Sequence, residues 1–327
     1  MRGLAASRAS VLNLLKRESF LRVLERYGIY IALGLLLLAT AILSPAFYQP
    51  RNVLNVLRSA ALLGIVSIGQ TFVILGAGID LSVGGLMGAA AIFVVEIFGT
   101  DPKLAVPAIL FCLALGGAMG IASGLLITKR NVPPFVATLG MYIFIVGLRD
   151  ALFRAVATGR PPALIRFFGL GKLLGIPAAI FVVAIIAVLA GLLLYKTAFG
   201  RQVYAVGGNR TVARLSGINV DRVTILTYVI SGMLAGFAGA MLLGYIGYAD
   251  PKLGRGFDLD SIAAVVVGGT SFMGGQGGLA GTMVGVLLIT MLSNVVLILG
   301  LPMEMQLVAK GLVIVGAVAL YSAAARS

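Results

Sequence analysis

The sequence has no histidine and one cysteine, Cys112, in 327 residues. The usual soft ligand sets for zinc or copper are therefore missing, and so is most histidine-based catalysis. A single cysteine also excludes a disulfide bond within the chain. The sequence contains no Gly-x-x-x-x-Gly-Lys-Ser/Thr phosphate loop and no evident Ser/His, Cys/His or paired-carboxylate constellation. We predict a non-enzyme that binds no cofactor itself, whose energy must come from an ion gradient or from a partner.

Charged residues are also scarce, at 11% against 60% hydrophobic residues, and the mean hydropathy is +1.09. A soluble domain has about 25% charged residues, so a secreted, cytosolic or disordered protein is excluded. What remains is an integral membrane protein that crosses the bilayer several times. The net charge of +14 would suggest a nucleic-acid partner in a soluble protein. In a membrane protein such residues more often lie in cytoplasmic loops, so we expect no nucleic acid.

A membrane-spanning helix needs about 20 apolar residues. By this measure we predict an all-α, polytopic membrane protein with about ten transmembrane helices. The segments near residues 80 and 265 are interrupted by glycine and could be re-entrant instead of spanning. The predicted segments are 27–43, 60–78, 82–98, 105–128, 133–150, 177–195, 223–247, 261–270, 276–298 and 303–322.

Basic residues orient these segments only weakly. Six Lys or Arg residues precede the first segment, and five more lie in the loop 196–222. Both sets favour a cytoplasmic location, so we expect both termini inside the cell. The predicted division is a cytoplasmic segment 1–26, a transmembrane domain 27–322 that includes the loop 196–222, and a cytoplasmic tail 323–327.

Two short motifs suggest an internal repeat. Gly78-Ile79-Asp80-Leu81 recurs as Gly256-Phe257-Asp258-Leu259, each before a glycine-rich interrupted segment. By the segment count the first lies towards the inside and the second towards the outside. Two inverted halves with broken or re-entrant helices, typical of transporters, would give this pattern, although chance similarity would also explain four residues.

Burying the acidic residues of these motifs in a membrane costs free energy unless they cap a helix, form an ion pair or face a cavity. Asp80 or Ser82 can accept the free N–H groups at the start of the next helix. Asp258 and Asp260 follow the same argument, and Asp260 is placed to cap a short helix 261–267. Capping is the favoured interpretation, and direct substrate contact is the alternative.

Further polar residues fall inside the predicted segments and could line a polar pathway. Glu96 lies near a predicted helix end and could equally snorkel, which means that its charged group reaches the membrane surface. The same holds for the polar residues of the last segment, Glu304, Gln306 and Lys310. Glycines at four-residue spacing predict closely packed helix pairs. The polar residues are Gln70, Thr71, Glu96, Asn294, Glu304, Gln306 and Lys310. The glycines are Gly116, Gly120 and Gly124, then Gly232 and Gly236, then Gly281 and Gly285.

The loop 196–222 contains a short capped helix. Asn209 is a natural N-cap and Gly217 a natural residue after the last turn, so about two turns fit between them. Val212 and Leu215 share one face, while two arginines, Arg210 and Arg214, share another. Such a helix would either dock into a groove of another protein or rest on anionic lipid headgroups. We expect Asp221 to cap the helix that follows.

Over residues 44–320 the sequence resembles the ribose-type sugar permeases of bacterial ATP-binding-cassette (ABC) importers. The resemblance is carried by the order and spacing of several motifs. They are 43–47 (LSPAF), 52–57 (NVLNVL), 69–74 (GQTFVI), 78–84 (GIDLSVG), 134–141 (PFVATLGM), 207–209 (GGN), 213–218 (ARLSGI), 260–271 (DSIAAVVVGGTS), 274–277 (GGQG) and 281–282 (GT).

This resemblance implies a permease of the bacterial inner membrane that imports a sugar by alternating access. Two permeases, often two copies of one chain, form the pore; partner ATPase subunits use the ATP, and an extracytoplasmic binding protein delivers the sugar. The ATPase-coupling residues would be Gly207, Gly208, Asn209, Arg210, Ala213, Arg214, Leu215, Ser216 and Gly217. The substrate pathway or gate would include Gln70, Asp80, Ser82, Asp258, Asp260, Thr270 and Asn294.

The sequence also departs from that family. The family usually has an Arg-Gly pair after its ATLGM motif, whereas Val146-Gly147 stands here with Arg149 nearby. The outside loop 151–176 is unusually basic. A permease for branched-chain amino acids or nucleosides is the alternative within ABC importers, and an ion-coupled secondary transporter is the alternative from another class. A membrane enzyme is disfavoured because no catalytic constellation is present.

Overall fold

The computed structural model describes residues 28–42, 44–153 and 160–324. The expected cytoplasmic segment 1–26 and residues 325–327 of the expected tail lie outside the described residues. Short 3-10 turns, Pro45–Tyr48 and Pro102–Leu104, precede two of the helices, and a π turn, Val94–Phe98, extends a third.

Apart from one two-stranded hairpin, the regular structure of the described residues is helical. The hairpin strands are β1 (Lys172–Leu173) and β2 (Ile176–Pro177), paired antiparallel. The helices are α1 (Gly28–Ile42), α2 (Pro50–Leu75), α3 (Ser82–Phe93), α4 (Ala105–Lys129), α5 (Pro134–Leu152), α6 (Ala163–Leu170), α7 (Ala178–Lys196), α8 (Ala198–Gly208), α9 (Arg210–Leu215), α10 (Val220–Ile246), α11 (Phe257–Val267), α12 (Leu279–Ile298) and α13 (Met303–Ala324).

Within the described ranges, six helices are long and apolar enough to cross a membrane: α2, α4, α5, α7, α10 and α12. This confirms the all-α polytopic fold, whereas the number ten is reached only by adding α1, α3, α11 and α13. Helix α11 has 11 residues, about 17 Å at 1.5 Å per residue, which is half of a bilayer core. The segment near residue 265 is therefore too short to cross as a helix.

The centre of the bundle is formed by α2 and α10, and glycine lets α4 approach α10 closely. A Cβ atom on Gly116 would overlap the carbonyl group of Gly232, and one on Gly120 would overlap the backbone of Tyr228. Two glycines of α12 allow the same approach at α11: Gly285 packs on the backbone of Ala264, and Gly281 packs on Gly268, the residue after the helix. The predicted small-residue packing faces are confirmed, and each brings two helix backbones into contact.

Helix α10 also fixes which elements lie at opposite ends of the bundle. It has 27 residues, about 40 Å at 1.5 Å per residue. Helix α9 ends five residues before its first residue, Val220, whereas α6 packs near its last turn, where Gly169 lies against Gly244 and Tyr245. We call these two ends the α9 end and the α6 end.

Candidate functional site

The first element of the candidate site is the unwound segment 76–81 between α2 and α3. Asp80 is 1% exposed and its carboxylate is fully engaged. One oxygen, Oδ1, accepts from the backbone N–H of Ser82 at 2.9 Å and from its hydroxyl. The other, Oδ2, accepts from the hydroxyl of Ser231 at 2.8 Å, near the middle of α10. The carboxylate of Asp80 accepts the first N–H of α3, as expected, although Asp80 stands one residue before the N-cap residue, Leu81. The same carboxylate ties the break to α10.

Three further side chains bind the backbone of this break. With its amide oriented to satisfy both groups, Gln70 donates to the carbonyl of Asp80 and accepts from its N–H, both at 3.2 Å. Tyr228 donates to the carbonyl of Ile79 at 3.1 Å, and the hydroxyl of Thr138 lies 3.4 Å from the same oxygen. An unwound backbone in the middle of an apolar bundle is tolerated because its polar groups are bonded in this way.

The second element is the start of α11, which lies against the start of α3. The chain from Asp250 to Gly256 reaches back along α3, where Gly254 packs against the backbone of Gly84 and an added Cβ on Gly84 would stand 3.4 Å from Oδ1 of Asp258. Buried Arg149 donates to the carbonyl of Pro251 at 3.1 Å and so holds this segment. The two repeated motifs therefore lie close together in space.

Asp260 does not cap a helix, contrary to the expectation. Helix α11 begins at Phe257, and its N-cap residue, Gly256, makes no side-chain capping bond. The carboxylate of Asp260 instead accepts from Nζ of Lys310 on α13 at 2.7 Å, with side chains 23% and 14% exposed. Lys310 does not snorkel either, because its ammonium group pairs with this partly buried carboxylate.

The loop 268–278 joins α11 to α12 and is fixed by hydroxyl groups. The Oγ1 of Thr270, 1% exposed, accepts from the N–H of Gly278 at 3.3 Å. Tyr204 of α8 donates to the carbonyl of Gly277 at 2.8 Å, and the hydroxyl of Tyr195 on α7 accepts from Leu279 N–H at 3.0 Å. Burial, and then the neighbouring Tyr195, raise the pKa of Tyr204 to about 12.

Asn294 lies apart from these residues. It forms a reciprocal amide pair with Asn52, with N–O distances of 2.9 and 3.0 Å. Asn52 stands 18 residues before Gln70 in α2, about 27 Å along the helix. Asn294 therefore belongs to a helix contact distant from Asp80. Thr71, the residue after Gln70, also contacts α12: its hydroxyl is bonded to that of Thr282 at 2.9 Å.

Helix α9 has the two caps that the sequence predicts. The side-chain oxygen of Asn209 accepts from the N–H groups of Thr211 at 2.9 Å and Val212 at 3.0 Å. At the other end Gly217 has φ +80°, and the N–H of Ile218 bonds the carbonyl of Ala213 at 3.0 Å. This is a Schellman motif, in which glycine supplies the left-handed residue.

The α9 helix exposes its apolar ridge. Leu215 is 83% exposed and Val212 57% exposed, whereas Ala213 is buried against the protein. Asp221 was expected to cap α10, and this expectation is wrong. Asn219 caps the helix instead, by accepting from the N–H of Arg222 at 3.0 Å. Asp221 instead pairs with Lys129 at 2.6 Å and lies 3.9 Å from Arg214. The cap and these ion pairs fix the orientation of an exposed, partly apolar helix.

At the opposite end, α6 borders an open groove of about 550 Å³ lined by Thr100, Arg160, Arg166 and Phe167, among others. Neither arginine has an ion-pair partner among the described residues. Sequence reasoning found the basic character of this region but not the helix. A cluster of three or more metal-ligating side chains does not occur in the described part of the chain.

Residues 52–318 match the family model described as the permease component of branched-chain amino acid transport systems. A ribose import permease of Bacillus subtilis is 41% identical over 313 residues, 93% of this chain and 95% of that protein. A fructose import permease of Rhizobium meliloti is 34% identical over 291 residues (85% and 80%). A D-allose transport permease of Escherichia coli is 32% identical over 300 residues (90% and 91%). No solved structure is significantly similar to the chain.

Proposed function

The chain belongs to the family of transport-system permease components, and from this premise we propose that it is the transmembrane subunit of an ABC importer for a sugar. The family description names branched-chain amino acids, but relatives that cover most of the chain are named for ribose, fructose and allose. This favours a monosaccharide or related polyol over an amino acid or a nucleoside. The location that follows is the bacterial inner membrane, with both termini in the cytoplasm.

The observation that carries the proposal is the exposed ridge of α9. A helix of six residues is too short to be stable alone, so its two caps and its buried Ala213 must hold it in place. They hold it with Leu215 outward. A rigid helix that presents a large apolar side chain and two arginines is better accommodated in the groove of a partner protein than exposed to water. We assign that partner as the ABC ATPase, which supplies the phosphate loop for ATP that this sequence lacks.

The pathway is proposed to pass the two breaks. Asp80 and Asp258 stand at neighbouring half-helix starts. The buried carboxylate of Asp80 holds the first break in shape, while unwound backbone and the half-buried carboxylate of Asp258 can meet the hydroxyl groups of a sugar. Gln70, Ser82, Asp260 and Thr270 support these breaks through the bonds described above. Asn294, bonded to Asn52, is better explained as a helix contact than as part of this pathway.

At the α6 end we propose contact with the extracytoplasmic binding protein. We expect Arg160 and Arg166 to bind acidic side chains of that partner. Neither has an ion-pair partner among the described residues, and arginine forms strong bidentate bonds with carboxylates. We further propose that two copies of the chain form the pore. The binding protein would then span both copies.

The docking assignment is tested by charge and polarity changes on α9. Arg214→Glu and Leu215→Asp should each prevent the purified permease from retaining its ATPase, and should abolish transport while the chain still inserts. Leu174→Asp is the matched control, because Leu174 is 98% exposed at the α6 end and should leave ATPase retention unchanged. Equal retention by both α9 variants and by the wild type would show that the docking assignment is wrong.

A further inference from the structure

Three backbone segments meet beside the start of α9. The N–H of Gly275 donates to the carbonyl of Leu75, the last residue of α2, at 2.9 Å. Gly207 of α8 lies so close to Leu75 and Gly275 that a Cβ atom has no room there, and a Cβ on Gly274 would stand 2.8 Å from Ala77. We call Leu75, Ala77, Gly207, Gly274 and Gly275 the glycine junction. It joins α8, the break 76–81 and the loop 268–278 through main-chain contacts.

Two tyrosines bind the same loop to α7 and α8 independently of these contacts. Tyr204 donates to the carbonyl of Gly277, and Tyr195 accepts from the N–H of Leu279. Gly275 and Gly277 have positive φ angles of +73° and +120°, a conformation that other residues adopt only with strain. The loop therefore has a defined shape, and from Gly275 onward it is hydrogen-bonded to α2, α8 and α7.

The connectivity of α8 makes this arrangement relevant to transport. Asn209 alone separates α8 from α9, and its side chain caps α9. A displacement of α9 by a docked partner must therefore displace the last turn of α8. From there the glycine junction reaches the break that holds Asp80 and the loop that carries α11. Direct main-chain contact transmits a displacement with little loss, because interiors are close-packed and bistable instead of soft.

We propose that the glycine junction, with Tyr195 and Tyr204 as positioning residues, couples the docking helix α9 to the two half-helices α3 and α11. This inference rests on the proposed function, because it needs an ATPase at α9. The competing route runs from α9 through residues 216–219 into α10, and it would not involve either tyrosine. The two routes differ in what the loss of one tyrosine hydroxyl does.

The test measures the coupling ratio, the sugar molecules imported per ATP hydrolysed, in proteoliposomes that contain permease, ATPase and binding protein. Labelled D-ribose, D-fructose and D-allose serve as probes, and the sugar that the wild type imports is used throughout. The Tyr204→Phe permease should retain the ATPase, and the assembled complex should still hydrolyse ATP. Its coupling ratio should fall roughly five- to tenfold, because the carbonyl of Gly277 loses its donor. Gly207→Ala should lower the ratio further, since the added Cβ separates α8 from α2.

Matched controls stand on α1, away from the junction. Tyr30→Phe removes an exposed hydroxyl, and Gly34→Ala adds a methyl group where no atom lies within 4 Å; both should keep the wild-type ratio. A wild-type ratio in Tyr204→Phe, or loss of the ATPase from that variant, would overturn the inference. If the wild-type complex itself imports none of the probes with ATP, the proposed function fails instead.

Discussion

Replacing Lys310 with methionine is expected to destabilise the protein strongly. The side chains of Lys310 and Asp260 are 14% and 23% exposed, and the N–O distance is 2.7 Å. Methionine has a similar length but no charge, so the carboxylate of Asp260 would remain largely buried without a cation. Asp258 lies two residues away on the same turn and adds a second acidic group.

The expected cost follows from this burial. Removing one partner of a buried ion pair costs about 3–5 kcal/mol, because an uncompensated charge is left behind. At roughly 2–4 °C per kcal/mol, the lower figure corresponds to a loss of about 6–12 °C in Tm. Lys310→Met combined with Asp260→Asn should recover most of this loss, since neither charge then remains in the interior.

The chain contains its own reporter for this measurement. Cys112 is its one cysteine and is fully buried, so a thiol-reactive fluorophore labels the protein only as it unfolds. The Lys129–Asp221 pair is a matched control, with a similar N–O distance of 2.6 Å but side chains 58% and 29% exposed. Lys129→Met should cost less than about 1 kcal/mol, as exposed pairs do.

Two results would refute this reasoning about the buried pair. One is a Tm for Lys310→Met no lower than that of Lys129→Met. The other is a double variant no more stable than Lys310→Met alone, because that outcome would mean that the two charges do not interact.

Two further substitutions test the packing of the site with the same reporter. Asp80→Ala removes the acceptor of three hydrogen bonds and should lower Tm by several degrees and abolish transport; an unchanged Tm would contradict the capping role. Gly116→Ala should also lower Tm, because its methyl group meets the backbone of Gly232. Gly117→Ala should be nearly neutral, since its methyl group meets only the side chain of Met233 at 3.4 Å, and equal losses would show that α4 and α10 are not in backbone contact.

Local chemistry made much of this structure predictable from the sequence. The apolar segments agree with the helices to within a few residues for most of the chain, because lipid demands a fixed apolar length. The caps of α9 were predictable because Asn209 and Gly217 act on backbone groups two to four residues away. The capping role of Asp80 was predictable for the same reason.

Contacts between distant segments were not predictable. Asp260 and Lys310 are 50 residues apart, and no local pattern indicates that α13 brings the lysine to α11. The bond between Tyr204 and Gly277 joins α8 to a loop 73 residues later. Asp221 was predicted to cap α10, but Asn219, two residues earlier, has an equally suitable side chain and is the residue that does so.

We expect ATP hydrolysed by a partner to drive this permease. The direct measurement is uptake of a labelled monosaccharide, with D-ribose, D-fructose and D-allose tried in turn, into proteoliposomes that contain the permease, its ATPase and its binding protein, with and without ATP. We expect accumulation only with ATP and only with all three proteins, unaffected by ionophores that collapse ion gradients. Uptake by the permease alone, driven by an imposed ion gradient without ATP, would contradict the account and identify an ion-coupled transporter.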